Sequence, residues 1–188
     1  MKKYLLMILM AATIFALSGC GSGSSSPAAT DKGTEEGTEA VAEEDGGQQA
    51  KEAGEVTVEI VPPDGWDKVE GSILEVQYLK GTASFMVKPE AYTSDTLDGV
   101  VEEAKEIFSG SFDEFTVVGE PEPVTVDEKD ARRLTFTCKV SNIPMKFMYV
   151  FLFAADNTYV ITFGDQASTF DSLSDDYEKI LEDIRFRT

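Results

Sequence analysis

The chain has 188 residues, with 35 acidic and 16 basic side chains, no histidine and two cysteines, for a net charge of −19. That balance excludes nucleic acid, whose phosphates need a basic footprint, and it argues against docking on anionic lipid headgroups. The missing histidine removes the commonest general base and the commonest transition-metal ligand.

The N-terminus carries Lys2 and Lys3, then 14 apolar-run residues from Tyr4 to Leu17, then Ser18, Gly19 and Cys20. A positive end, a short apolar core and small residues make a signal peptide over 1–19. The run is too short for a comfortable membrane span, which needs about 20 residues. Leu17-Ser18-Gly19-Cys20 resembles the bacterial lipobox, in which the cysteine thiol takes a diacylglycerol and cleavage falls just before it. Cys20 is therefore the expected lipidation site. It makes the membrane a partner through the anchor and places the chain on the extracytoplasmic face of the cell membrane. Two acyl chains hold where one is marginal, at about 0.8 kcal/mol per buried methylene.

After Cys20, residues 21–54 contain eight acids, two lysines and no aromatic residue, with Val41 the one large apolar side chain. Such a segment cannot bury enough apolar surface to offset its ordering entropy, so 20–54 reads as a lipidated cysteine and an acidic, disordered tether. Residues 55–188 are one domain's worth of chain. They hold 27 acids and 12 basic residues, and Cys138 is the one cysteine left once Cys20 is acylated, so no internal disulfide is expected.

The domain opens on Val56, Val58 and Ile60 in strand alternation, stopped by the turn Pro62-Pro63-Asp64-Gly65. Ile73 to Leu79 and Ser84 to Val87 read as a pair of strands. The period then changes. Leu97, Val100, Val101, Ala104, Ile107 and Phe108 form a helical stripe between Asp95 and Ser109, with Asp95 as the expected cap and Gly110 as the expected stop. "FTVVGEPEPVTV" reads as a short or edge strand, because prolines cannot donate to a ladder. Three strands follow: Arg132 to Ser141, Met145 to Ala154, and Thr158 to Phe163. In the middle one, Phe147, Tyr149, Phe151 and Phe153 point one way and Met148, Val150 and Leu152 the other, so both faces need cover. Phe170, Leu173, Tyr177, Ile180, Leu181 and Ile184 make a closing helical stripe, with Ser168 and Asp171 in a capping-box pattern.

This order predicts an α+β fold, an antiparallel β-sheet sandwiched by helices. A closed β-barrel with a C-terminal helix is the alternative. The opening strand with "PPDGW", the strands "ARRLTFTCKV", "MKFMYVFLFA" and "TYVITFG", and the closing "FDSLSDDYEKILEDIRF" resemble the PsbP-like superfamily. The resemblance implies an α/β/α domain over most of 55–188, of a kind found in a photosystem II subunit, a Ran-binding import factor and many bacterial lipoproteins. Those proteins look like binding or scaffolding modules rather than enzymes, and no functional residue carries over.

Individual candidates point the same way. Cys138 shares a strand face with Leu134, Phe136 and Val140, which reads as a buried structural thiol rather than a nucleophile. Asp127, Glu128 and Asp130 cluster in a turn and have oxygen ligands for calcium, without an EF-hand spacing. Trp66 reads as a core anchor. The expectation is a membrane-anchored, non-catalytic binding or scaffold module with no cofactor, metal or catalytic set. An envelope protein is the candidate partner, and nucleic acid is excluded. The alternative is a cell-envelope hydrolase working with paired carboxylates.

Overall fold

A computed structural model describes residues 56–187. The signal peptide, Cys20 and the tether lie outside the described residues.

Ten strands and two α-helices follow one another. They are β1 (Thr57–Glu59), β2 (Asp67–Lys68), β3 (Val76–Lys80), β4 (Ala83–Glu90), α1 (Leu97–Ser111), β5 (Asp113–Val117), β6 (Glu122–Val126), β7 (Lys129–Val140), β8 (Ile143–Ala154), β9 (Asn157–Gln166), α2 (Ser174–Asp183) and β10 (Arg185–Arg187). A 3-10 turn, Phe170–Leu173, leads into α2. Eight strands form one open antiparallel sheet in the order β2-β3-β4-β9-β8-β7-β5, with β6 also paired to β7. The sheet does not close into a barrel. β1 and β10 form a separate two-stranded ribbon.

The sheet is organised around β8, which pairs with β7 from Ala131↔Leu152 to Val140↔Ile143 and with β9 from Met145↔Gln166 to Ala154↔Asn157. Its side chains part into two cores, as strand alternation requires. Met148, Val150 and Leu152 pack with Phe85, Ile161, Phe163 and the α2 residues Tyr177, Ile180 and Leu181. Phe151 packs with Leu134, Phe136, Val160 and the α1 residues Val100, Val101, Ala104 and Phe108, and Phe147 and Tyr149 lean on the same cluster. Phe153, expected inward with these aromatics, is 37% exposed. It lies at the end of β8, beside the N-terminus of α1.

Other boundaries move for local reasons. Thr96, not Asp95, caps α1, its hydroxyl accepting from the Gly99 N–H at 3.2 Å. The helix runs through Gly110 to Ser111, because the φ needed to end it is supplied by extended Phe112. The edge segment divides into two strands, β5 and β6, which share the outer side of β7. Ile73 stays out of β3 and is 77% exposed. The tight turns Asp127-Glu128, Ser141-Asn142 and Ala155-Asp156 all have positive φ at both residues, and none contains glycine. Two-residue hairpins demand that geometry, and the long ladders on either side impose it.

Gly164 of β9 lies opposite Phe147 of β8, whose ring fills the space above it: a Cβ there would stand 2.5 Å from Phe147 Cε1. Gly164→Ala therefore forces the ring, and the aromatic neighbours stacked on it, to shift. We expect a loss of about 1–3 kcal/mol in urea unfolding, the ordinary range for overpacking. An unchanged midpoint would contradict this packing.

Candidate binding surface

A surface depression of about 510 Å³ sits where the N-terminus of α1 meets the end of the sheet. Thr96, Leu97 and Asp98 come from the helix, Lys129, Asp130 and Arg132 from β7, and Phe153 from β8. Its charges are balanced internally. Arg132 Nε donates to Asp98 Oδ1 at 2.6 Å, and Lys129 Nζ lies 3.0 Å from Asp127 Oδ2. The second depression, of about 310 Å³, is lined by Glu59, Ile60, Val61, Asp183 and Arg185. Both are open, and charged side chains make up much of each lining.

Asp127 stands between the two. Its side chain is 12% exposed. Its Oδ2 accepts from Lys129 Nζ and from the backbone N–H of Phe186 at 2.9 Å, with Arg185 Nε 3.7 Å from Oδ1. Burial pushes this carboxyl up, but the Phe186 N–H, Lys129 and Arg185 outweigh it and hold it below the usual range. Asp127 thus spends its oxygens on protein donors, and its work is to pin β10. Glu128 and Asp130 do not join it in a cation site: among the described residues no three acidic, cysteine or histidine side chains gather to hold a metal.

Trp66 is buried, 6% exposed, with its ring edge-on to Phe85 at 5.3 Å. Its indole Nε1 donates to Asp176 Oδ2 at 2.9 Å. Lys80 Nζ donates to the same oxygen at 2.7 Å and to the Asp64 carbonyl at 2.9 Å. The Lys80 ammonium, helped by the indole, keeps Asp176 below the usual carboxylate range. The "PPDGW" turn is thereby fastened to the β3–β4 hairpin and α2. The sequence places Trp66 in the core but does not show its partner Asp176, which lies 110 residues from Trp66 and 96 from Lys80, separations no local spacing reveals.

Cys138 is buried in the α1-side core with Leu134 and Phe136, and burial pushes its thiol up to about 11. A thiol so shifted is a poor nucleophile at neutral pH. Asp165, which no sequence pattern singled out, is only 2% exposed. It accepts from Thr82 Oγ1 at 2.6 Å, Thr169 Oγ1 at 2.7 Å and the Gln166 N–H at 2.7 Å, and it lines neither depression. Its role is to tie the β3–β4 turn and the approach to α2 onto the end of β9.

No family model matches the sequence, and no curated protein matches it. Solved structures do. LpqN, involved in cell envelope biogenesis of Mycobacterium tuberculosis, is similar with a TM-score of 0.57 and 14% identity, over 74% of this chain and 88% of that one. The PsbP of the cyanobacterium Synechocystis (CyanoP) is similar at a TM-score of 0.48 and 11% identity, over 70% and 92% of the two chains. A Pseudomonas aeruginosa protein of unknown function, PA94, is similar at 0.47 and 12% identity, over 66% and 78%. The likeness to LpqN is one of fold alone.

The Asp127 pin has a pH signature. Its folded-state carboxyl titrates below its unfolded value, so its contribution is present above about pH 4 and is lost as pH falls through the folded value. Asp127→Asn should therefore destabilise the protein at pH 6, with the difference from the parent shrinking by pH 3 in urea unfolding. A difference independent of pH would show that the carboxylate's charge plays no part in holding β10.

Proposed function

We propose that the protein is an extracytoplasmic lipoprotein, held to the cell membrane by lipid on Cys20, whose folded domain is a non-catalytic binding or scaffold module of the envelope. The same reading takes the fold as an α/β/α sandwich, with α1 serving one face of the sheet and α2 the other. The observation that carries it is the filling of the interior. On the α1 side, buried Phe108 and Phe136 and the half-buried Phe112, Phe115, Phe147 and Tyr149 form one connected aromatic group. Trp66, Phe85, Phe163, Phe170 and Tyr177 form another on the α2 side. The space a substrate would need between sheet and helices is taken by rings, which leaves the outer surface for recognition.

That surface is acidic. Lys80, Lys88, Lys129, Arg132, Arg133 and Lys146 are each engaged by a carboxylate, and the surplus carboxylates remain. A basic or apolar partner surface is the complement, with association that weakens as salt rises. Confinement by a lipid anchor raises the effective concentration of such a module near its partners without any added contact. The hydrolase alternative gains no support from Asp165, whose oxygens are taken by Thr82, Thr169 and Gln166. No helix among the described residues is long and apolar enough to cross a membrane, so the anchor falls to Cys20 in this reading.

The test uses the full chain in a bacterial host. Cys20→Ala should move the protein from the membrane to the soluble fraction, and envelope proteins captured by the intact form should elute between low and high salt. Membrane retention of the Cys20→Ala chain would contradict the anchor. Turnover of an envelope substrate that is lost in Asp165→Asn would contradict the non-catalytic reading.

A further inference from the structure

We propose that β10 is a strand-accepting edge, which takes an extended segment of a partner protein, with an apolar residue flanked by acidic ones, in place of β1. This rests on the reading of the domain as a binding module and adds to its acidic surface a second, locally basic contact. β1 is three residues long, and its ladder runs solely to β10, as Thr57↔Arg187, Val58↔Phe186 and Glu59↔Arg185. On either side of it Val56 and Ile60 lean on the core, and the chain then leaves through Val61, 81% exposed, and the two prolines 62 and 63, which cannot donate to a ladder. A strand with so few ladder bonds belongs to the low-stability end of local opening.

β10, by contrast, is held from the side away from β1. It continues directly from α2 through Ile184, which is fully buried. The Phe186 ring is buried edge-on to Tyr159 at 5.3 Å, and its N–H is bound to Asp127. Arg185 Nη1 donates to the carbonyls of Glu182 and Ile184, at 2.6 and 2.7 Å, at the end of α2. The strand therefore stays in place when β1 leaves, and presents an open edge.

Its chemistry selects the occupant. Phe186 faces inward, and Arg185 and Arg187 face out, a basic stretch in a chain of net charge −19. The resident strand meets this chemistry in part: Val58 is buried against the core and Glu59 Oε2 meets Arg187 Nε at 3.1 Å, while the other flanking residue, Thr57, is uncharged. A partner strand adds by main-chain hydrogen bonds, with alternate side chains setting specificity. It needs a Val-like residue toward Phe186 and carboxylates toward the two arginines.

The probe is a labelled peptide with the sequence of residues 55–61, tested on the full chain. Val58→Asp destabilises the resident strand from its buried side, and Thr57→Pro does so from its exposed side by removing a ladder donor. We expect either variant, with its eight-stranded sheet intact by hydrogen exchange, to bind the peptide at least tenfold more tightly than the parent. The same peptide with both glutamates replaced by lysine should not bind. If Val58→Asp fails to fold, Thr57→Pro decides. The proposal is overturned by folded variants that do not bind the peptide, by equal binding of the two peptides, or by residues 57–59 staying protected in both variants. Salt-sensitive capture of envelope proteins is a separate readout, so either result can fail without the other.

Discussion

A strand that is apolar on both faces is the constraint from which the rest of this fold follows. β8 presents Met148, Val150 and Leu152 to one side and Phe147, Tyr149 and Phe151 to the other. Neither set can be left in water. Each fully buried aliphatic or aromatic side chain is worth roughly 1.5–3 kcal/mol, and exposing either face would forfeit several of them at once. The strand must therefore lie in the middle of a sheet, with long partners on both sides, and each face must be covered. β7 and β9 supply the partners, and the stripes of α1 and α2 join the two faces' clusters. The aromatic filling of both faces is a large part of what makes the fold stable.

Around this centre the polar residues act as fasteners. Asp127, Asp165 and Asp176 are the carboxylates with the most specific protein partners: the Phe186 N–H, the threonine pair Thr82 and Thr169, and Trp66 with Lys80. Each joins segments far apart in sequence at a place where the ladders end. Each also accepts at least two donors, which is what a carboxylate with little water around it requires. In an acidic protein, most carboxylates simply carry surface charge. These three are distinguished by burial and by partners, not by residue type.

That difference explains what the sequence discloses and what it hides. The long ladders and both helices are legible because their signal is periodic. Alternation in Lys129–Val140 and Ile143–Ala154, and the 3.6-residue stripe of Leu97–Ser111, can be read within one window. The inward thiol of Cys138 and the buried Trp66 follow from the same reasoning. Short elements are not legible, because their existence depends on a distant partner. β10 is three residues, two of them arginine, and it exists as a strand through β1 and the Asp127 pin. The turn acids Asp127, Glu128 and Asp130 look alike in sequence, yet only the fold turns one of them inward. Phe153 errs in the opposite direction: its alternation is right, but α1 begins too late along β8 to cover it.

β8 is the last element of the domain to let go. Native-state hydrogen exchange reads this directly, because amides that open only with the whole domain share one free energy, equal to that of global unfolding. The amides of Val150, Phe151, Leu152, Val160 and Ile161 should exchange at that limit, with those of β2, β1 and the edge strand β5 well below it. Protection in β8 and β9 no higher than in β2 or β5 would contradict the claim that two-sided burial of this strand holds the molecule together.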